Sequence, residues 1–477
     1  MSYWKNLQHL KQNEIKRLQN KLLRNFVNTH LHYHPFYKNM FKEKRLRFSD
    51  IKTIDDLKKV SFTSKADIVP TAKNPRKFLD FVLQPNKKLV IKHSSFYKKI
   101  KIALNKNHMY HEYKPVHMHF TTGRSSNSVP IFYTAHDLEI MEESGRRMFE
   151  ILNIGGDARV VNAFPYAPHL AFWQTFYAVK ANNLLGLQTG GGKVLGTDKI
   201  IKSLESMKAT CLVGMPGYIY HLLRTAEDQG RNLNNLDSVV LGGERVPEGF
   251  LSKLKFILKN LYSENARILS TYAFTEGKCA WVECKSGSGY HLYPDFELIE
   301  IVDRNGERVN EGEKGEIVYT SLNWRGSVFL RYKTGDIAKG IYYEKCPYCS
   351  RTVPRIDCHI ERSSEYKDFK LTKIKGSFVN LNVFFPIMMS HKDILEWQVE
   401  IRKKNSDPYE VDELVIYVSV NKKVNFQKLS QELKQNISEE TEVTPEIVKL
   451  ELKEIIKRLG IESELKEKRI VDTRSIR

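Results

Sequence analysis

Apolar residues recur at helical spacing through the first seventy residues, as in MSYWKNLQHLKQNEIKRLQNKLL, and the pattern breaks at His34-Pro35-Phe36-Tyr37. Such spacing gathers apolar side chains on one face of a helix, so residues 1–75 read as a helical lead-in. From about residue 115 to 300 the pattern changes. Short β-rich runs are each followed by a helix-like stretch: RVVNAFP then AFWQTFYAVKANN, TCLVGMP then YIYHLLRTAEDQG, DSVVLGG then PEGFLSKLKFILKN, and RILSTYA next. Strand-then-helix alternation predicts parallel strands in an α/β fold, with ligand sites at the carboxyl ends of the strands.

Between Phe296 and Thr320 the runs FELIEIVDRNGERV and KGEIVYT predict an antiparallel hairpin turning at Asn305-Gly306. Beyond Arg362 the order is LEWQVEIRKK strand, ELVIYVSV strand, FQKLSQELKQNI helix and EIVKLEL strand, with KEKRIVDTRSIR as a basic tail. A chain of 477 residues is too long for one compact core. The expectation is a large N-terminal α/β domain with mixed and parallel sheets over residues 1–361. A small α+β domain over 362–477 follows, joined through the linker Glu361–Lys370.

Charge narrows the class of partner. Lys+Arg 76 against Asp+Glu 56 give +20, but clusters such as KEKRLR and NKKLVIKHSSFYKKIK are interleaved with acidic or apolar residues. A solvated basic surface around a site for anionic groups is the better reading, and a nucleic-acid partner is not expected. The N-terminus lacks the apolar core of a signal peptide. No apolar run reaches the roughly eighteen residues that a membrane span requires, so a cytoplasmic protein is expected.

Six cysteines in such a chain suggest metal or redox chemistry over structural disulfides. CPYC supplies Cys346 and Cys349, and ECKSGSGYHLYPD supplies Cys284 and His291. Together they form a Cys3His set suited to a structural zinc ion if the two segments pair in space. Cys358 and His359 compete for a place in that set. TGGGK at Thr189–Lys193 lacks the Ser or Thr of a P-loop, since Val194 follows it, and reads as a flexible turn.

Four further segments carry candidate chemistry. In YTSLNWRGSVFLRYKTGD, Asp336 on a tight Gly turn can accept two hydrogen bonds from a ribose diol, with positive charge from Arg331 and Lys333 nearby. HFTTGRSSNSVPIFYT is a small-residue loop whose N–H groups and hydroxyls can surround phosphate oxygens. GGERVPEG places Gly242, Gly243 and Glu244 at a strand end, where a purine can lie against bare backbone. YAFTEG puts the Tyr272 ring, the Thr275 hydroxyl and the Glu276 carboxylate close together. Tyr166, His169 and Phe172, with Trp173, in NAFPYAPHLAFWQTF are candidate walls of an acyl pocket.

The order of these segments resembles the adenylate-forming enzymes, specifically their phenylacetate-CoA ligase-like branch, and the resemblance covers nearly the whole chain. It implies that the phosphate loop uses Thr121, Thr122, Gly123 and Ser125, with Arg124 keeping a cation there. It also implies that Gly242, Gly243 and Glu244 belong to the adenine pocket, Tyr272 stacks on adenine and Thr275 meets the α-phosphate. Glu276 then holds magnesium and Asp336 the ribose, and Arg351 and Arg362 assist nucleotide binding. ESELKEKRIVDTR aligns with the branch's C-terminal motif and puts Lys466 at the catalytic lysine position. Some relatives in the branch carry a structural metal near the CPYC region.

The implied reaction joins a carboxylic acid, aromatic or medium-length, to ATP as an acyl-adenylate. Transfer to coenzyme A or another thiol follows after a small mobile lid rotates. A non-CoA acceptor (a carrier protein, a protein or a deazaflavin hydroxyl) and a catalytically silent polyanion binder are the alternatives, and a homodimer is left open.

Overall fold

The computed structural model describes residues 3–93, 96, 99–100, 107–121, 128–244, 246, 248–362, 371–374, 377–406, 410–421, 423–464 and 467–474. The chain divides into two compact units. One comprises Met1–Asn162, Tyr166–Gln188 and Leu269–Glu361; the other comprises Ala163–Pro165, Thr189–Ile268 and Arg362–Arg477.

In the first unit the long helix Gln12–His30 buries Ile15, Gln19, Leu23, Phe26 and Val27, the three-and-four spacing of an amphipathic face. Pro35 does not merely interrupt the lead-in. It occupies the first turn of the helix Pro35–Glu43, where its missing N–H costs nothing, and the His34 ring caps the Tyr37 N–H. Strands Pro115–Phe120 and Pro130–Thr134 form an antiparallel pair. The helix Ala135–Ile151 starts from a reciprocal cap between Thr134 and Asp137. Strands Arg159–Asn162 and Leu185–Gln188 are parallel and linked by the helix Leu170–Ala181, a strand-helix-strand unit like those predicted.

An antiparallel run follows, in the spatial order Arg267–Ala273, Ala280–Val282, Tyr290–His291, Arg355–Ile356, Ile341–Tyr342. Strands Glu297–Val302, Lys314–Ser321 and Tyr332–Lys339 form an antiparallel sheet beside it in sequence. The Asn305-Gly306 turn is present, with Gly306 at φ +86° and the Asp303 carboxylate accepting from the Asn305 and Glu307 amides at 2.9 Å. It closes only the short bridge between Val302 and Arg308. A second turn over Asn310–Glu313 precedes the partner strand, so the connection is longer than a two-residue hairpin.

The second unit holds the parallel strands Cys211–Gly214 and Ser238–Leu241, linked by the helix Pro216–Asp228. Its C-terminal part is a four-stranded sheet in the order Glu446–Lys449, Asp412–Val420, Ile394–Lys403, Ile470–Asp472. The helix Phe426–Thr441 buries Leu429, Leu433 and Ile437 in a core with Trp397, Val399, Ile401, Leu414 and Ile416. Two elements depart from the sequence expectation. Leu452–Leu459 is a helix, and Ile470–Asp472, read above as tail, pairs parallel to Ile394–Lys403. Among the described residues no helix is long and apolar enough to cross a membrane.

Candidate active site

The YAFTEG segment leaves the strand Arg267–Ala273 and closes into one tight turn over Thr275–Gly277, where the Gly277 amide donates to the Phe274 carbonyl at 3.0 Å. Two phenols reach the carboxylates of this region. Tyr272 donates to Asp336 Oδ2 at 2.6 Å, and Tyr332 donates to Glu276 Oε1 at 2.7 Å. Both carboxylates are buried, at 4% and 8% exposure, so each acceptor is oriented in a low-dielectric setting where such bonds count for more than in water.

Asp336 is not on a turn that ends a strand. Thr334, Gly335 and Asp336 form a bulge inside the strand Tyr332–Lys339: Lys333 faces Val318 and Ile337 faces Glu316, leaving three residues opposite Ile317. Gly335 sits at φ +77°, which a side chain rarely tolerates, and the Asp336 amide donates to Thr334 Oγ1 at 3.1 Å. A bulge re-aims a side chain that plain alternation would direct elsewhere. The two cations expected beside Asp336 are engaged elsewhere. Arg331 is buried against Glu300 at 3.3 Å, the Val60 carbonyl at 3.1 Å and the Phe62 ring, and Lys333 pairs with Glu316 at 3.0 Å.

Directly after the TEG turn comes a buried pair that sequence reasoning missed. Lys278, with φ +63°, aims Nζ at Asp137 Oδ2 at 2.8 Å, and neither side chain is exposed to solvent. Asp137 also accepts from the Thr134, Arg325 and Gly326 amides at 3.2, 2.7 and 2.7 Å. The ammonium lies over the Tyr133 and Trp324 rings. Burial raises the Asp137 pKa, but the Lys278 charge and these donors more than offset it and hold the carboxyl below its ordinary value. The pair thereby ties the TEG turn, the start of helix Ala135–Ile151 and the Arg325-Gly326 loop together. Its signal in the sequence was slight: a lysine next to a functional motif and an acid in a helix cap.

Of the phosphate-loop candidates, Thr121 is placed at the loop's neck. Its amide donates to the Val129 carbonyl at 3.0 Å, and the Val129 amide returns a bond to Thr121 Oγ1 at 3.1 Å. Thr122, Gly123, Arg124 and Ser125 lie outside the described residues, as does Lys466. His169 Nδ1 is 2.9 Å from the Phe120 carbonyl, which joins the segment of the acyl-pocket candidates to the strand Pro115–Phe120. Phe172 is buried and Tyr166 exposed, and both rings pack with Trp173.

In the second unit Gly242 and Gly243 follow the strand Ser238–Leu241 as expected. Gly243 has φ +85°, and the Gly242 amide donates to the Gly214 carbonyl at 3.1 Å. Glu244 is half-buried beside them. Arg362 lies in the short strand Glu361–Arg362. The Arg351 guanidinium donates to Gln8 Oε1 at 2.6 Å and lies 3.5 Å from Glu150. In the C-terminal motif, Arg469 is held between Glu396 and Glu467, and Lys468 forms an exposed pair with Glu464 at 2.8 Å.

The cysteine segments do meet. The strand Tyr290–His291 pairs with Arg355–Ile356, and the ligand atoms of Cys284, His291, Cys346 and Cys349 all lie within 4.8 Å of one another. A tetrahedral zinc with Zn–S near 2.3 Å and Zn–N near 2.05 Å needs S···S of about 3.8 Å and S···N of about 3.5 Å. Here Cys284 and Cys346 Sγ are 3.7 Å apart, and Cys349 Sγ is 3.2 Å from His291 Nε2. His291 Nδ1 lies 3.3 Å from the Val282 carbonyl, which keeps that nitrogen protonated and leaves Nε2 as the donor atom. Cys358 bonds to Glu283 and His359 to Asp357, which removes both competitors.

Three comparisons bear on this arrangement. Residues 132–331 match the family model described as AMP-binding enzyme. The chain is 22% identical to phenylacetate-coenzyme A ligase of Thermus thermophilus, over 91% of this chain and 87% of that protein. It is 26% identical to indoleacetate–lysine synthetase of Pseudomonas savastanoi, over 46% of this chain and 52% of that protein. Among solved structures, 2-hydroxyisobutyryl-CoA ligase in the postadenylation state, with 2-HIB-AMP, superposes with TM-score 0.73 at 18% identity, over 98% of this chain and 91% of that one; this likeness is one of fold.

Proposed function

We propose that this chain, which resembles the adenylate-forming enzymes and in particular their phenylacetate-CoA ligase-like branch, activates a carboxylic acid with ATP and passes the acyl group to coenzyme A. The acid's carboxylate attacks the α-phosphorus in line, the bond to pyrophosphate breaks, and the acyl-adenylate forms; the thiol then displaces AMP. The observation that carries this reading is the pair of oriented, buried carboxylates on one strand-turn system, Asp336 held by Tyr272 and Glu276 held by Tyr332.

Asp336 accepts hydrogen bonds from the ribose diol, and Tyr272 presents its ring to the adenine. Glu276 would hold magnesium, whose charge would screen the triphosphate; Tyr332 steers that carboxylate by binding one of its oxygens. Thr275 contacts the α-phosphate. Thr121, Thr122, Gly123, Arg124 and Ser125 surround the outgoing pyrophosphate, and Gly242, Gly243 and Glu244 border the adenine. Lys466 serves the first half-reaction, offsetting negative charge that builds between carboxylate and phosphate. An aromatic or medium-length acid suits the apolar faces of Phe172, Trp173 and Tyr166. The Cys284, His291, Cys346 and Cys349 set fits a structural zinc that ties the CPYC loop to the strand Tyr290–His291.

A second reading keeps the adenylate and changes the acceptor to a carrier-protein thiol, a protein group or a deazaflavin hydroxyl. It is favoured by the similarity to a synthetase named for joining indoleacetate to lysine, which shows acceptor variety among relatives. Acid-dependent exchange of labelled pyrophosphate into ATP tests the first half-reaction, and acyl-CoA formation separates the two acceptor readings. Exchange that ignores added acid would remove both.

A further inference from the structure

The strand Pro115–Phe120 inverts the usual alternation of apolar and polar residues. Val116 and Met118 are 55% and 43% exposed, whereas His119 is fully buried and His117 half-buried. A strand that sends its aliphatic residues outward and imidazoles inward gives up burial energy, and a local rule broken in this way marks a functional position. The two histidines and a tyrosine form a chain of hydrogen bonds: Tyr133 OH lies 2.9 Å from His119 Nδ1, and His119 Nε2 lies 2.8 Å from His117 Nε2.

The direction of that chain follows from its closed end. The fully buried Tyr133 hydroxyl has a single hydrogen-bond partner among the described residues, and a buried O–H left without an acceptor is costly, so it donates to His119 Nδ1. His119 Nδ1 being an acceptor, its Nε2 carries the proton and donates to His117 Nε2. His117 must then carry its own proton on Nδ1, a nitrogen that bonds to nothing else among the described residues. Burial lowers the pKa of both rings, His119 to about 3, which keeps them in these neutral forms. Trp173 meets the His117 ring edge to face at 5.1 Å and lies nearly parallel to His119 at 6.5 Å. The same indole packs against Tyr166 and Phe172.

The geometry points to His117 as a specificity-determining hydrogen-bond donor that, beside the Trp173 face, selects an aromatic carboxylic acid bearing an oxygen acceptor over the same acid without one. Tyr133 and His119 are positioning residues that fix which nitrogen donates. This rests on the reading that Tyr166, Phe172 and Trp173 border the acyl group. A polar group built into an aromatic wall discriminates strongly, because a substrate lacking the acceptor leaves the donor unpaired.

The test is pyrophosphate exchange with phenylacetate set against its 2-, 3- and 4-hydroxy and methoxy derivatives, run on the wild type and three variants. The wild type should prefer at least one oxygenated acid in kcat/KM by about 10-fold or more. His117→Phe should abolish that preference, lowering kcat/KM for the oxygenated acid about 10-fold more than for phenylacetate. His117→Asn, whose amide nitrogen takes the place of Nδ1, should retain most of it. Tyr133→Phe keeps the ring packing but frees the tautomer, and should lower the preference part of the way. An enzyme that uses phenylacetate as well as every oxygenated partner, or a preference that survives His117→Phe, overturns the inference while the proposed reaction stands. No exchange with any acid overturns the proposed reaction and this inference with it.

Discussion

Tyr272 donates its phenol proton to the Asp336 carboxylate across 2.6 Å, so the ring proposed to stack on adenine and the carboxylate proposed to grip the ribose are set as one unit. Asp336→Ala should raise the KM for ATP in the exchange reaction by about 10- to 100-fold, because a charge-assisted pair of bonds is lost. Tyr272→Phe should cost less than tenfold, since the ring remains and only the orientation of Asp336 loosens. Equal losses in the two variants would mean that the bond itself, and not the ribose contact, is what matters.

Glu276 is steered by Tyr332 at 2.7 Å. Glu276→Gln should lower kcat for adenylate formation by about 10²-fold or more, in proportion to losing one preorganised electrostatic contact. Added magnesium should recover part of the loss, and an unchanged melting temperature would separate chemistry from folding. Tyr332→Phe should show a smaller loss of the same kind. A Glu276→Gln enzyme with normal exchange at low magnesium contradicts the role.

Lys278 and Asp137 are both fully buried and 2.8 Å apart. Lys278→Met strands a carboxylate in the interior and should cost about 3–5 kcal/mol in a denaturant melt. The double change Lys278→Met with Asp137→Leu should recover much of that. Since the folded Asp137 pKa lies below its unfolded value, its contribution is complete above roughly pH 4 and is lost as pH falls through the folded pKa. An acid limb that steepens in the wild type and not in the double variant is the expected observation.

For the Cys284, His291, Cys346 and Cys349 set, protein purified without added metal should contain about one zinc per chain. Cys349→Ser should lower the zinc content and the melting temperature together, with much smaller effects on the kcat of the protein that remains folded. Metal-free protein with the wild-type melting temperature would refute the site.

Much of the scaffold was legible before any coordinates. The short β-rich runs and the helical runs that follow them became strands and helices at Arg159–Asn162, Leu170–Ala181, Cys211–Gly214 and Pro216–Asp228 because tertiary packing there agrees with local pattern. Pairwise commitments were not legible. Arg331 and Lys333 looked like free charge beside Asp336, yet Glu300 and Glu316, distant or unremarkable in sequence, claim them. The bulge at Gly335 changes strand register, which no alternation rule anticipates. Ile470–Asp472 read as tail because three residues between charges carry no periodic signal; the buried grip of Glu396 on Arg469 is what seats it. His117 and His119 were invisible for the opposite reason, since the alternation around them points the wrong way.

Lys466, proposed above to serve the first half-reaction, lies outside the described residues, and kinetics test that role. Lys466→Ala should slow acyl-adenylate formation by about 10²-fold or more and leave thiol transfer from a supplied acyl-adenylate much less affected. Equal loss in both steps would indicate general damage to the small domain.

The most direct measurement is exchange of labelled pyrophosphate into ATP by the purified full-length chain, with magnesium, across a panel of aromatic and medium-length carboxylic acids. Acid activation requires exchange that appears with at least one acid, vanishes without it, and falls by about 10²-fold or more in Glu276→Gln. Exchange that is absent with every acid, or that proceeds equally without any, would contradict the proposed activity.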